Sequence, residues 1–120
     1  MRQTYVTSDA EWSKQVRQYY HRACAWAGCG DTYGLGGHHI IPRGYKALRL
    51  LLENGVELCA VHHGIVEAAI DTPRYDKIMT LLVGKERYDT LVELKALALN
   101  ELKGDTVQSD ALKTSEVSFE

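Results

Sequence analysis

The 120 residues suffice for one compact domain, with an ordinary globular composition and no apolar run near the ~20 residues of a membrane helix. The net charge of −2 argues against strong non-specific binding to DNA, because proteins that bind DNA in this way carry clustered positive charge. Residues 1–9 are mostly polar and lack the apolar stretch of a signal peptide, so we expect a cytoplasmic protein that is not associated with a membrane.

The first third of the chain predicts a helix, a glycine-rich loop and a strand. Ser8 and Glu11 form a capping box, and apolar residues follow at helical spacing, so the helix is expected to run to about Arg22. The glycines within residues 24–37 favour a tight knuckle and a loop. Residues 38–41 then predict a short strand.

The rest of the chain predicts a second strand and three helices. Turn-forming pairs, a proline at a first helical position and terminal glycines mark their bounds. The predicted elements are a helical turn within residues 47–53, a strand over 56–58 after Asn54-Gly55, a helix over 60–70, a helix over 73–83 between Thr72 and Gly84, and a helix over 86–103 that Gly104 stops.

These elements predict an α+β fold, in which a small hairpin-plus-helix core is flanked by an N-terminal helix and two C-terminal helices. Residues 1–104 are expected to form the single domain. Residues 105–120 are polar and are predicted to be a disordered tail. Residues 104–120 carry four acidic side chains and one basic one, so the remainder of the chain is about neutral.

The three cysteines cannot all pair in disulfides within the chain, and clustered cysteines near histidines in a reducing cytosol indicate a metal. Four residues separate Cys24 from Cys29, and two separate Cys59 from His62. Both spacings let two side chains of one turn reach one ion, so these four residues are predicted to hold a structural zinc. The alternative is that the cysteines are buried apolar residues.

A second metal site is predicted beside the first. His62 and His63 are neighbours at a helix start, so their side chains diverge by roughly 100° and can face two different sites. Glu67 lies on the same helical face as His63, and the two can share a cation with a histidine of the first strand. Because His38 and His39 point to opposite faces of a regular strand, both can reach one site only at a strand end or a bulge.

Such a site suits the hydrolysis of a phosphodiester. Water is a weak nucleophile, and a neutral imidazole near its reference pKa can take its proton. The leaving oxygen gains negative charge, which a divalent cation can neutralise. One histidine base and one cation are therefore sufficient.

The order of these residues resembles the signature of the HNH (His-Asn-His) endonuclease family. The matching segments are HHIIPRG at 38–44, NGVELC at 54–59 and the histidine pair at 62–63, and with the first cysteines the likeness covers residues 24–67. It implies the ββα-metal motif, a two-stranded hairpin and a helix around one metal. It also implies a phage or bacterial enzyme that hydrolyses phosphodiester bonds in DNA, by nicking or by cutting both strands.

The resemblance assigns a role to each site residue. His39 would be the general base, His38 and His63 would bind the catalytic cation, and Asn54 would brace the loop that orients the base. Glu67 stands where many members have a further histidine. As a ligand it would favour Mg²⁺ or Mn²⁺; otherwise it lies on a solvated helix face. The zinc set departs from the four cysteines that zinc-containing members usually carry.

Other interpretations stay open at this point. The low positive charge and Glu67 favour a catalytically inactive, zinc-stabilised accessory module that binds nucleic acid or protein. A nuclease directed at RNA, or a toxin-like nuclease, could use the same residues. Candidate partners are DNA and the proteins of phage packaging, restriction or mobile-element machinery, and the oligomeric state is undetermined. Arg43 is either a phosphate contact or a surface arginine, whereas Trp12 and Trp26 are predicted to be core residues.

Overall fold

The computed structural model describes residues 1–107 and shows an α+β arrangement. None of the helices in this range has the length and hydropathy to span a bilayer. In chain order the elements are helix α1 (Asp9–Tyr19), strand β1 (Gly36–His39), the one-turn helix α2 (Lys46–Arg49), a 3-10 turn (Leu52–Asn54), strand β2 (Gly55–Leu58), and helices α3 (Ala60–Ala69), α4 (Pro73–Val83) and α5 (Lys85–Val107).

Helix α1 begins where the capping box predicts. The Ser8 hydroxyl accepts a hydrogen bond from the Glu11 amide at 3.1 Å, which satisfies one of the free N–H groups of the first turn. The predicted end near Arg22 was wrong, since the helix stops at Tyr19. His21 and Arg22 both have φ of 57°, a left-handed conformation that cannot continue a right-handed helix.

Strands β1 and β2 form a two-stranded antiparallel sheet. The register pairs Gly36 with Leu58, Gly37 with Glu57, His38 with Val56 and His39 with Gly55. The predicted strand over residues 38–41 is shifted, because β1 starts at Gly36 and ends at His39. Beyond this point the Ile41 amide donates to the Asn54 side chain instead of to a strand partner.

The two faces of the sheet are covered by different helices. Helix α1 packs on one face and helix α3 contacts the other. Trp12 of α1 lies so close to Gly37 and Gly55 that a Cβ at either position would come within 2.8 Å of its ring. Since side chains alternate along a strand, His39 points to the α1 face and His38 to the α3 face.

Helix α4 has the predicted bounds. Thr72 is its N-cap, Pro73 is its first residue, and Gly84 with φ of 91° ends it. The fully buried Met79 joins α4 to the core beneath the sheet. The helix thereby brings its first turn alongside the end of β1.

Helix α5 packs against α4 and is joined to the hairpin by Arg87. The Arg87 guanidinium donates to the carbonyl oxygens of Glu53 and Gly55. The predicted end at Gly104 was wrong, since α5 continues to Val107. A glycine inside a helix costs only about 1 kcal/mol relative to alanine, so it need not end one. The remaining part of the predicted disordered tail, residues 108–120, lies outside the described residues.

Candidate metal centres and active-site cleft

Four predicted ligands, Cys24, Cys29, Cys59 and His62, lie close together and could bind a metal ion. The His62 Nδ1 atom is 3.5 Å from Cys24 Sγ and 3.3 Å from Cys59 Sγ, and the sulfurs of Cys29 and Cys59 are 4.0 Å apart. Tetrahedral bonds of about 2.3 Å to sulfur and about 2.0 Å to nitrogen place ligand atoms about 3.8 and about 3.5 Å apart. These three distances are close to those expected for ligands of one tetrahedral ion, and all four ligand atoms lie within 4.8 Å of one another.

Local backbone geometry presents these ligands. The turn between Cys24 and Cys29 is closed by a hydrogen bond from the Cys29 amide to the Trp26 carbonyl. Cys59 is the N-cap of α3, where the His62 amide lowers the pKa of its thiol and so favours the thiolate that binds metal. The indole of Trp26, predicted to be a core residue, stacks on the His62 ring with centroids 4.4 Å apart.

A second cluster joins strand β1 to helix α3. The Glu67 Oε2 atom is 3.5 Å from His38 Nδ1 and 3.3 Å from His63 Nε2, so the three predicted ligands could share a cation. Glu67 lies one helical turn after His63, which is why both reach the same point. His38 is 5% exposed and Glu67 is 56% exposed, so the cluster is anchored on the sheet side and opens to solvent on the other.

Tyr75 of α4 holds His38 in the tautomer that can bind a metal. The Tyr75 hydroxyl donates its single proton to the Ile40 carbonyl at 2.6 Å, so it can only accept from His38 Nε2 at 2.9 Å. The lone pair of neutral His38 is then on Nδ1, which faces Glu67. Burial lowers the pKa of His38 to about 4, which keeps the imidazole neutral at pH 7.

His39 is held on the opposite face by two contacts. Its ring stacks on the Trp12 indole, with centroids 3.8 Å apart and planes at 3°. Its Nε2 atom is 3.0 Å from the Arg49 carbonyl, which can only accept, so Nε2 carries the proton and Nδ1 is free. Burial lowers the pKa of His39, so the ring is neutral at pH 7 and can take up a proton.

Although their side chains point to opposite faces of the sheet, His38 and His39 both line one cleft, because β1 ends at His39. This open cleft has a volume of about 630 Å³ and is lined by His38, His39, His63 and Glu67. His62 and His63 lie in the first turn of α3, and their side chains face the Cys/His cluster and the cleft respectively, as the divergence of adjacent helical side chains predicts. Four predicted site residues thus line one cavity, and the Cys/His cluster is connected to it through the consecutive residues His62 and His63.

Asn54 is fully buried and acts on the backbone of the connection between the strands. Its Oδ1 atom accepts from the Ile41 amide at 2.7 Å, and its Nδ2 atom donates to the carbonyls of Ile41 and Leu48. The next residue after Leu48 is Arg49, whose carbonyl holds His39. The side chain of Asn54 therefore stabilises the segment that carries this carbonyl.

Sequence patterns did not indicate three of these contacts. Tyr75 was assigned no role in the site from the sequence, and Trp12 was expected only as a core residue. The Arg49 carbonyl is a backbone atom, which residue identity does not predict. Each contact joins residues at least ten positions apart, beyond the spacing of neighbours within one helix turn or one strand, so local sequence patterns could not predict them.

Comparison of the chain with protein-family models, with curated proteins and with solved structures gave no match. The fold and the site define an α+β protein with a Cys/His cluster that could bind a metal ion. Its cleft contains the cluster of His38, His63 and Glu67 and the imidazole of His39, which the Arg49 carbonyl and the Trp12 indole hold in place.

Proposed function

We propose that this protein is a metal-dependent DNA endonuclease of the HNH type. The observation that carries the proposal is that His39, in the tautomer with an unprotonated Nδ1 atom, lines the same cleft as the cluster of His38, His63 and Glu67. The order of these residues around Asn54 supports DNA as the substrate, through the resemblance to that family. In this proposal β1, β2 and α3 are the ββα-metal core.

The cluster of Cys24, Cys29, Cys59 and His62 would hold zinc in a structural role. Thiolates and imidazole are the donors that zinc prefers, and four protein ligands leave no position for a substrate. The ion would connect the turn after α1 to the first turn of α3. Because α3 also carries His63 and Glu67, this connection would keep the catalytic ligands in place.

The cluster of His38, His63 and Glu67 would hold the catalytic cation. Three protein ligands leave coordination positions open, and the carboxylate favours Mg²⁺ or Mn²⁺. A cation bound there would supply positive charge to neutralise the charge that develops on the phosphate and on the leaving oxygen. The exposed side of the cluster, at Glu67, is where a phosphate can enter.

His39 would act as the general base. Its Nδ1 atom takes a proton from water as the water oxygen forms a bond to phosphorus and the ester bond on the opposite side breaks. The leaving oxygen takes a proton from solvent. The Arg49 carbonyl continues to accept from Nε2 in the imidazolium and so stabilises it, while the Trp12 stack holds the ring plane.

A plasmid relaxation assay with metal titration tests the proposal. Zinc-loaded protein is expected to convert supercoiled plasmid to the nicked or linear form when Mg²⁺ or Mn²⁺ is added, and not in its absence. A parallel reaction with RNA tests for a ribonuclease. Failure to cleave with any of several divalent metals, while one zinc stays tightly bound, would favour a catalytically inactive binding module instead.

Tyr75→Phe tests the catalytic cation site separately. Loss of the hydroxyl removes the acceptor for His38 Nε2, so the Mn²⁺ concentration for half-maximal nicking is expected to rise about 10-fold or more. The rate at saturating Mn²⁺ should change little. Tyr88→Phe is the matched control, because the Tyr88 hydroxyl donates to Asp76. An equal metal requirement in both variants would contradict the role of Tyr75.

A further inference from the structure

Two arginine side chains converge on one carboxylate at the start of α1. Arg49 donates to both oxygens of Asp9, with Nε 2.9 Å from Oδ1 and Nη2 in contact with Oδ2. Arg43 Nη2 is 3.5 Å from the same Oδ2 atom. The two guanidinium groups therefore already bind an anionic group, which is the carboxylate of Asp9 in the same chain.

This arginine pair lies beside the proposed base. Asp9 and Arg43 line the same cleft as His39. Arg49 contributes its guanidinium to the pair and its carbonyl to His39 Nε2, so one residue connects the two features. An anion bound in place of the Asp9 carboxylate would lie at the cleft edge next to His39.

We propose that Arg43 and Arg49 form a binding site for a backbone phosphate of the nucleic acid, and that Asp9 occupies this site in the free protein. The identity of the ligand rests on the proposed function. Carboxylate and phosphate oxygens accept the same bidentate hydrogen bonds from a guanidinium group. We therefore expect the phosphate to make the contacts with Arg43 and Arg49 that Asp9 makes in the free protein.

Exposure makes the exchange feasible. Asp9 is 49% exposed and Arg43 is 61% exposed, and ion pairs in water contribute little to stability. A phosphodiester that reaches both arginines can therefore displace the carboxylate. In the free protein the Asp9 carboxylate also offsets positive charge at the cleft edge, which would keep the affinity for DNA low.

A purely structural role for Asp9 is the competing explanation. An acidic residue in the first turn stabilises a helix through the helix dipole, and the pair with Arg49 joins α1 to α2. This role predicts that losing the Asp9 charge lowers stability without raising affinity for DNA. The two explanations thus predict different effects on DNA binding.

The test measures binding of zinc-loaded protein to a short fluorescent DNA duplex by anisotropy, without added Mg²⁺ or Mn²⁺. Asp9→Asn is expected to tighten binding about 3- to 10-fold, by releasing a site for one phosphate. Asp89→Asn removes the same charge from an exposed pair with Lys85, and is expected to change binding less than about 2-fold. Arg43→Gln should weaken binding and lower the salt slope by about 1.

A variant with Arg43→Gln and Arg49→Gln separates the phosphate site from a general charge effect. In this background Asp9→Asn should give no gain in affinity, because no guanidinium is left to release. A gain that persists there, or an Asp9→Asn variant that binds no more tightly than Asp89→Asn, would overturn the proposal. If Asp9→Asn fails to fold, an Arg43→Gln variant with wild-type binding overturns it equally. The predicted binding changes without any cleavage would support the phosphate site and reject the nuclease.

Discussion

His39→Ala is expected to lower the rate of Mg²⁺- or Mn²⁺-dependent plasmid nicking by at least about 100-fold, because a general base contributes about 10²- to 10⁴-fold. Alanine removes the Nδ1 atom that accepts the proton from water. The metal ligands lie on the opposite face of the sheet and are not altered. The measurement is the initial nicking rate at saturating metal, with circular dichroism to verify the fold.

A matched control is available at His21. It is an exposed histidine with φ of 57°, a conformation that asparagine adopts readily, so His21→Asn removes an imidazole without backbone strain. This variant should retain wild-type nicking. Unchanged nicking by His39→Ala would show that another group takes the proton, and equal loss in both variants would point to a fold defect.

The second large effect concerns the Cys/His cluster. If the cluster holds zinc as proposed, removal of the ion or the Cys59→Ala substitution is expected to remove most of the free energy of unfolding. Structural zinc contributes about 10–16 kcal/mol in zinc-finger peptides, whereas a whole small domain has about 5–15 kcal/mol. The thermal midpoint should fall by more than about 15 °C, since each kcal/mol shifts it by about 4–8 °C.

Thermal melts followed by circular dichroism, with zinc content measured on the same samples, would determine this effect. A chelator should destabilise the wild-type protein and leave the Cys59→Ala variant unchanged, because that variant has already lost the site. Glu67→Gln is a useful control, since it alters the other cluster. A wild-type protein that loses its zinc and melts at the same temperature would contradict a structural role.

The two predictions meet in helix α3. His62 and His63 are consecutive residues that face different clusters, so any disorder at the start of α3 after zinc loss would also displace His63. We therefore expect metal-free protein to lose nicking along with stability. Glu67→Gln, in contrast, is expected to weaken the binding of the catalytic cation without lowering the stability of the protein.

Much of the fold could be predicted from local features of the sequence. The capping box of Ser8 and Glu11 marks the start of α1, and Thr72 and Gly84 bracket α4. The alternation of side chains along a strand predicts that His38 and His39 point apart. Such features involve a few neighbouring residues, whose backbone geometry is nearly the same in any fold.

The pairing of cysteines with histidine was also predictable, because each half of the cluster is set by the spacing within one turn. Predictions failed where a local preference was weak. Gly104 only disfavours a helix, and nothing near Arg22 indicated the left-handed residues that end α1.

The contacts that make the cleft chemically specific came from packing over long distances in the chain. Tyr75 meets His38 across 37 positions, and Arg49 meets Asp9 across 40. These separations are too long for the two residues of either pair to be neighbours within one helix or one strand. Their meeting depends on how α4 and α1 pack on the hairpin, which is settled by burial of the whole core and not by any short stretch of residues.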